Sequence, residues 1–246
     1  MTQEQNKKKN RVWIHVLWIT IVIVILLIAA VCIPAFMIFD DKPMPLDRPV
    51  ISPRTSLIVM QKGQKNLEDM RKSNPMTVSR IRYSSEEFNF IISSMILYNS
   101  FQQGGNKVKG VAPNRTSVTV KDGIFHVKHV LETKGNPFGK YLNLQMAIEL
   151  SVKDGVESFR VISAKAGSMS IPLSRVEKAV SDLLEQYYRG TAQEDMIRNS
   201  VLDFHADKDG IHLEYKPYAL LYDIDKIYFG GSGDFLRQMG HEDRQQ

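Results

Sequence analysis

The chain has 246 residues, a net charge of +5, and 43% hydrophobic against 24% charged residues, an ordinary globular balance. Lys7, Lys8, Lys9 and Arg11 against Glu4 put +3 of that charge before residue 12, so the rest lacks the concentrated basic surface of a nucleic-acid binder. One cysteine, Cys32, excludes an intramolecular disulfide framework.

Residues 1–11 read as a basic cytoplasmic tail. Residues 12–39 (VWIHVLWITIVIVILLIAAVCIPAFMIF) contain no Asp, Glu, Lys or Arg. A helix of that length spans about 42 Å against about 30 Å of hydrocarbon. The run has no polar face, which argues against a core helix. A cleaved signal peptide has a shorter apolar region, and Val31 is wrong for lipoprotein acylation at Cys32. The expectation is an uncleaved transmembrane helix with Lys7, Lys8, Lys9, Arg11, Trp13 and Trp18 at the membrane interface. Basic residues precede the span and Asp40 and Asp41 follow it, so residues 40–246 are expected outside the cytoplasm.

Residues 40–55 form a proline-rich linker with Pro43, Pro45, Pro49 and Pro53. It is either a free, extended stalk of roughly 50 Å or a segment ordered against the domain. The domain is expected over 56–240, with 241–246 as a frayed tail. Its first part, KGQKNLEDMRKSNP, suggests a short polar helix ended at Asn74-Pro75. Ser84 and Glu87 have capping-box spacing, and Phe88, Ile91, Ile92 and Met95 then repeat at helical intervals.

Three stretches, VKDGI (120–124), VKDGV (152–156) and DKDGI (207–211), each separate runs of alternating residues. Asp-Gly between such runs predicts hairpins turning at Asp122-Gly123, Asp154-Gly155 and Asp209-Gly210. The calcium-loop alternative fails, because an EF-hand-like loop starting at His205 would also need a glutamate where Lys216 stands. Ser174 and Glu177 again have capping-box spacing, before an apolar face of Val176, Val180, Leu183, Leu184 and Tyr187. Thr191 can cap a third, short helix. The pattern from Tyr218 to Gly240 is ambiguous. These elements predict an α+β fold: an antiparallel sheet of about six or more hairpin-built strands, with two main helices on one face.

No catalytic, cofactor-binding or metal-ligating set is expected. His126 and His129 fall on opposite faces of a strand. An Asp209-Gly210 turn sets Asp207 opposite His212 and His205 opposite Glu214, as surface pairs. Ser168 and Ser170 lie in no G-x-S-x-G elbow, and the glycines at 230–233 precede no Lys-Ser or Lys-Thr. Apolar surface remains. Phe88, Ile91, Ile92 and Met95 on one helix and Val176, Val180 and Leu184 on the other enclose either a filled core or a groove for an acyl chain.

The basic N-terminus, the single span, YSSEEFNFIISSMI, the hairpins and ISAKAGSMSIPLSRVEKAVSDLL together resemble the YpmS-like family of small membrane-anchored bacterial proteins. The resemblance runs over about Tyr83 to Tyr188, where Gly167-Ser168-Met169-Ser170-Ile171-Pro172 leads from strand to helix. It implies a bacterial cell-envelope setting and supplies no reaction. The expected function is a non-enzymatic binding module for a protein or lipid partner in the envelope. The alternatives are a hydrolase using His205, Asp207 and His212 or the serines near 168, and a self-assembling structural component.

Overall fold

The computed structural model describes residues 26, 32–47, 52–102, 115–231, 233 and 236–237, with the backbone alone at 97–102. Residues 12–25 and 27–31 of the expected span lie outside these, as do the six interfacial residues from Lys7 to Trp18, the tail 1–11 and the tail 241–246. Among the described residues no helix is long and apolar enough to cross a membrane. Residues 32–38 are helical and expose Ile33, Phe36 and Met37.

The fold is α+β, around a nine-stranded antiparallel sheet. Its strands are β1 (Phe39–Asp40), β2 (Ser79–Tyr83), β3 (Thr116–Lys121), β4 (Ile124–Glu132), β5 (Tyr141–Lys153), β6 (Val156–Ala166), β7 (Met169–Ser170), β8 (Val201–Asp207) and β9 (Gly210–Tyr215). The order β2-β9-β8-β5-β4-β3 is completed by β1 and β6 on β5, and by β7 on β6. Thirteen-residue β5 organises the sheet. Along one edge it pairs first with β4, from Tyr141 to Ile148, and then with β8, from Ser151 to Lys153. Its other edge takes β1 at Tyr141 and Leu142, and β6 from Leu144 onward.

The first two hairpins turn where the sequence indicates. Asp122 and Gly123 have φ of 52° and 80°, and Asp154 and Gly155 have 51° and 73°, the positive pair that a type I′ turn requires. The third does not. Asp207 pairs with Gly210, so Lys208 and Asp209 form the loop. Asp207 Oδ1 accepts from the backbone N–H of Asp209 (2.8 Å) and Gly210 (3.0 Å), and this side-chain turn displaces the Asp-Gly turn. His205 therefore stands opposite His212 and Asp203 opposite Glu214, which corrects the expected register.

Among the described residues, five further helices flank the sheet: α1 (Pro53–Arg71), α2 (Ser85–Gln102), α3 (Leu173–Tyr187), α4 (Ala192–Ser200) and α5 (Pro217–Tyr228). Helix α1 is longer than the short element expected. Ser52 Oγ accepts from Thr55 N (3.3 Å) and Pro53 takes the first turn, where a missing N–H costs nothing. A domain start at residue 56 would fall inside this helix. In α2 the capping box is reciprocal, with Glu87 N donating to Ser84 Oγ (3.2 Å) and Ser84 N to Glu87 Oε2 (2.9 Å). No such box forms in α3. Its cap is Pro172, and Glu177 Oε1 instead accepts from Val161 N (3.4 Å). Thr191 caps α4 as expected.

The core lies between α2 and the sheet, where Val120, Phe125 and Ile211 are buried against Phe88 and Ile92. Burying each such side chain is worth about 1.5–3 kcal/mol before entropy is counted. Asn89 seats α2 on strand β3 by donating to Val120 O (3.1 Å) and accepting from Val120 N (2.6 Å).

The described part of the linker follows the second of its two readings and lies against the domain. Asn143 Nδ2 donates to Asp40 Oδ2 (2.7 Å) and Lys42 O (3.1 Å), and Asn143 Oδ1 accepts from Met44 N (3.0 Å). Lys128 pairs with Asp47 at 2.7 Å, and Phe36 meets Phe138 edge to face. Ser168 donates from its backbone N (2.8 Å) and its Oγ (3.1 Å) to Met37 O. Gly167, at φ 56°, sits where an added Cβ would lie 2.4 Å from Met37 O, so only glycine lets this strap lie down.

Candidate functional site

One cavity of about 510 Å³ opens between α3 and the sheet. Its floor follows from period-two alternation: Met146, Ile148 and Leu150 point from β5 to one face, beside Phe159 of β6, Phe204 of β8 and Leu213 of β9. Its roof is Val180 and Leu184, one turn apart on α3, with Ile197 of α4 at one side. The lining is carbon almost throughout. Ile148, Leu150 and Phe204 also pack against the core under α2, so core and cavity share one face of the sheet.

The cavity persists because α3 does not descend onto the sheet: none of its residues is buried. Polar contacts hold the helix instead, at Glu177 in its second turn, which accepts from Val161 N (3.4 Å), and beyond its C-terminal end. Tyr188, just beyond it, donates its hydroxyl to Glu157 Oε1 at the cavity wall. Burial, then the Glu157 carboxylate, pushes the tyrosine far above its ordinary range, so it keeps the proton it donates. Beyond Tyr188, Glu194 is only 5% exposed. It accepts from Gly190 N (2.6 Å), Arg189 Nη1 (2.7 Å) and Arg198 Nη2 (2.5 Å). The Gly190 N–H and Arg189 hold this carboxylate below its usual range, and the cluster fixes the α3–α4 corner that presents Ile197.

Of the residues singled out from the sequence, Val180 and Leu184 line the cavity. Val176, half-buried on the same helix, does not. Phe88 and Ile92 belong to the filled core, Ile91 is half-buried, and Met95 is 61% exposed. The space thus lies between α3 and the strands, not between the two helices. Met146, Ile148, Leu150, Phe204 and Leu213 went unnoticed, although their alternation marks an apolar strand face. Ser168 serves the strap, while His205, Asp207 and His212 cluster outside the cavity. His129 Nδ1 lies 2.7 Å from Thr116 Oγ1, and burial, with Arg115, pushes this imidazole down. Gly231 and Gly233 wrap the end of α5, each donating its backbone N–H to Asp225.

No family model, curated protein or solved structure matches this chain.

Proposed function

We propose that the protein is a single-pass, membrane-anchored cell-envelope protein whose extracytoplasmic domain is a non-enzymatic binding module for the acyl chain of a lipid. The observation that carries this reading is the cavity of about 510 Å³ under α3, within the size range of small-molecule sites and walled by aliphatic and aromatic side chains. The polar residues of its wall are engaged with one another, Ser151 with Ser158 (3.0 Å) and Tyr188 with Glu157, and the surface they leave open favours a chain of methylenes at roughly 0.8 kcal/mol for each one buried. The apolar run from Val12 supports the choice of a lipid, since it would set the domain beside a bilayer; its expected end at residue 39 is corrected, because Phe36, Met37 and Phe39 lie against the domain. Its flanking charges support the orientation with the domain outside the cytoplasm.

The test is photo-crosslinking of the full chain, in membranes fed a diazirine-bearing fatty acid, followed by peptide mass spectrometry. The reading expects label within 146–159 and 180–204, lost in Val180→Trp and retained in Met95→Ala. Label confined to 12–39, equal in wild type and Val180→Trp, would sink it. Circular dichroism of Val180→Trp separates a blocked cavity from a lost fold, and Leu184→Gln repeats the test with polarity in place of bulk.

A further inference from the structure

We propose that the β8–β9 hairpin carries a divalent transition-metal site, formed by His205, Asp207 and His212 and suited by its ligand chemistry to Zn²⁺. The corrected register creates the opportunity. His205 and His212 are direct cross-strand partners, and Asp207 lies two residues along the same face from His205. One ligand atom of each lies within 4.8 Å of the other two. The imidazole rings stack 4.8 Å apart with only 6° between their planes. Tetrahedral Zn²⁺, with bonds of about 2.0–2.2 Å, needs ligand atoms about 3.3 Å apart. The site therefore closes by about 1 to 1.5 Å of side-chain movement. The side chains of His205, Asp207 and His212, at 46%, 42% and 27% exposure, have room for that.

Three features prepare these groups. Asp203 Oδ2 stands 2.6 Å from His205 Nδ1. A carboxylate there takes the Nδ1–H and leaves the Nε2 lone pair for a metal, the arrangement that commonly orients histidine ligands. Asp207 has its Oδ1 fixed by two backbone N–H groups, those of Asp209 (2.8 Å) and Gly210 (3.0 Å), which turns Oδ2 toward His212. His212 Nε2 is buried and makes no hydrogen bond, although Asp207 Oδ2 is only 3.2 Å away. A ring nitrogen and a carboxylate oxygen thus face one small space across 3.2 Å. A cation seated there satisfies both.

The surrounding charges leave the site clear. Arg82, the neighbour of His212 on β2, reaches Asp209 (3.4 Å), and Arg80 pairs with Glu214 (2.8 Å). On β5, Ser151 stands beside His205 and Lys153 beside Asp203. Two imidazoles and one carboxylate form a borderline ligand set. It favours Zn²⁺ over the oxygen-seeking Ca²⁺ and Mg²⁺ and leaves a fourth position for water or for a second molecule's side chain.

The experiment is titration of the untagged full chain in detergent with Zn²⁺ by calorimetry, and with Co²⁺ by visible absorption as a report on coordination. The expected result is one ion per chain, with affinity falling at least about 100-fold in His212→Ala and in Asp207→Asn. Asp203→Asn, which touches only the orientation of His205, falls by about 10–100-fold while the Co²⁺ spectrum keeps its form. Equal binding by wild type, His212→Ala and Asp207→Asn overturns the proposal, as does no uptake by the wild-type chain from excess Zn²⁺. These positions lie on the outer face of a hairpin, and a melting curve for each variant confirms that the fold is intact.

Discussion

The same face of one sheet is filled under α2 and hollow under α3. The strands do not account for the difference, since Ile148, Leu150 and Phe204 contribute to both halves. The helices do. Helix α2 brings Phe88 down onto Phe125, ring edge to ring face at 6.2 Å, and Asn89 ties it to the β3 backbone. Helix α3 offers only valine and leucine at the corresponding level and is held by Glu177 and by the corner at Tyr188. An amphipathic pattern in sequence therefore sets which side of a helix faces the sheet. How far the helix descends is set by polar contacts that the pattern does not contain.

The largest expected effect tests the filled half. Phe125→Ala should destabilise the chain by about 3–5 kcal/mol in a denaturant melt, since the packed surroundings cannot collapse around the void. Leu184→Ala in the hollow half should cost about 1 kcal/mol, below the ~2–5 kcal/mol typical of buried leucines, because it enlarges a space already present. Equal losses would erase the distinction. Tyr188→Phe should loosen the end of α3 by about 1 kcal/mol, less than the full value of a bond to a charged group because Tyr188 is only partly buried. Raised hydrogen exchange should be confined to α3 and the α3–α4 corner. The smallest effect is on pH. Glu194 has a depressed folded-state pKa, so its contribution is complete above the ordinary carboxylate range and lost as pH falls through the depressed value. Glu194→Gln should flatten the acid side of the stability profile and leave neutral and alkaline pH unchanged in slope.

Two Asp-Gly turns, the capping box at Ser84 and the cap at Thr191 were legible in sequence because each depends on residues within a few positions. The third turn was misread for a physical reason: Asp207 supplies a side-chain acceptor that competes with Asp209-Gly210 for the same loop. That shift of one residue on each strand brings His205 opposite His212, a pairing the Asp-Gly pattern does not contain. The second capping box failed likewise, since Glu177 found a partner on β6 that lies outside its own turn. The cavity was half legible. Val180 and Leu184 announced themselves by spacing, but their partners come from β5, β8 and β9, which only the sheet order brings under α3. The long α1 was obscured by its polar composition. Its hold on the fold is electrostatic in part, through Lys62 to Glu87 at 2.6 Å and Thr55 Oγ1 to Glu86 at 2.5 Å.

The strap of residues 39–47 also has a consequence in time. Phe39 and Asp40 leave the ribosome roughly a hundred residues before Leu142 and Tyr141, the strand positions they pair with. At about 5–20 residues per second that is a wait of roughly 5–20 seconds with their backbone groups unpaired. During that interval α1, α2 and the β3–β4 hairpin are synthesised in full, each able to form from neighbours in sequence. The first strand made must thus wait for the fifth, and Gly167 must follow before the strap can close, while β2 waits longer still for its partner β9.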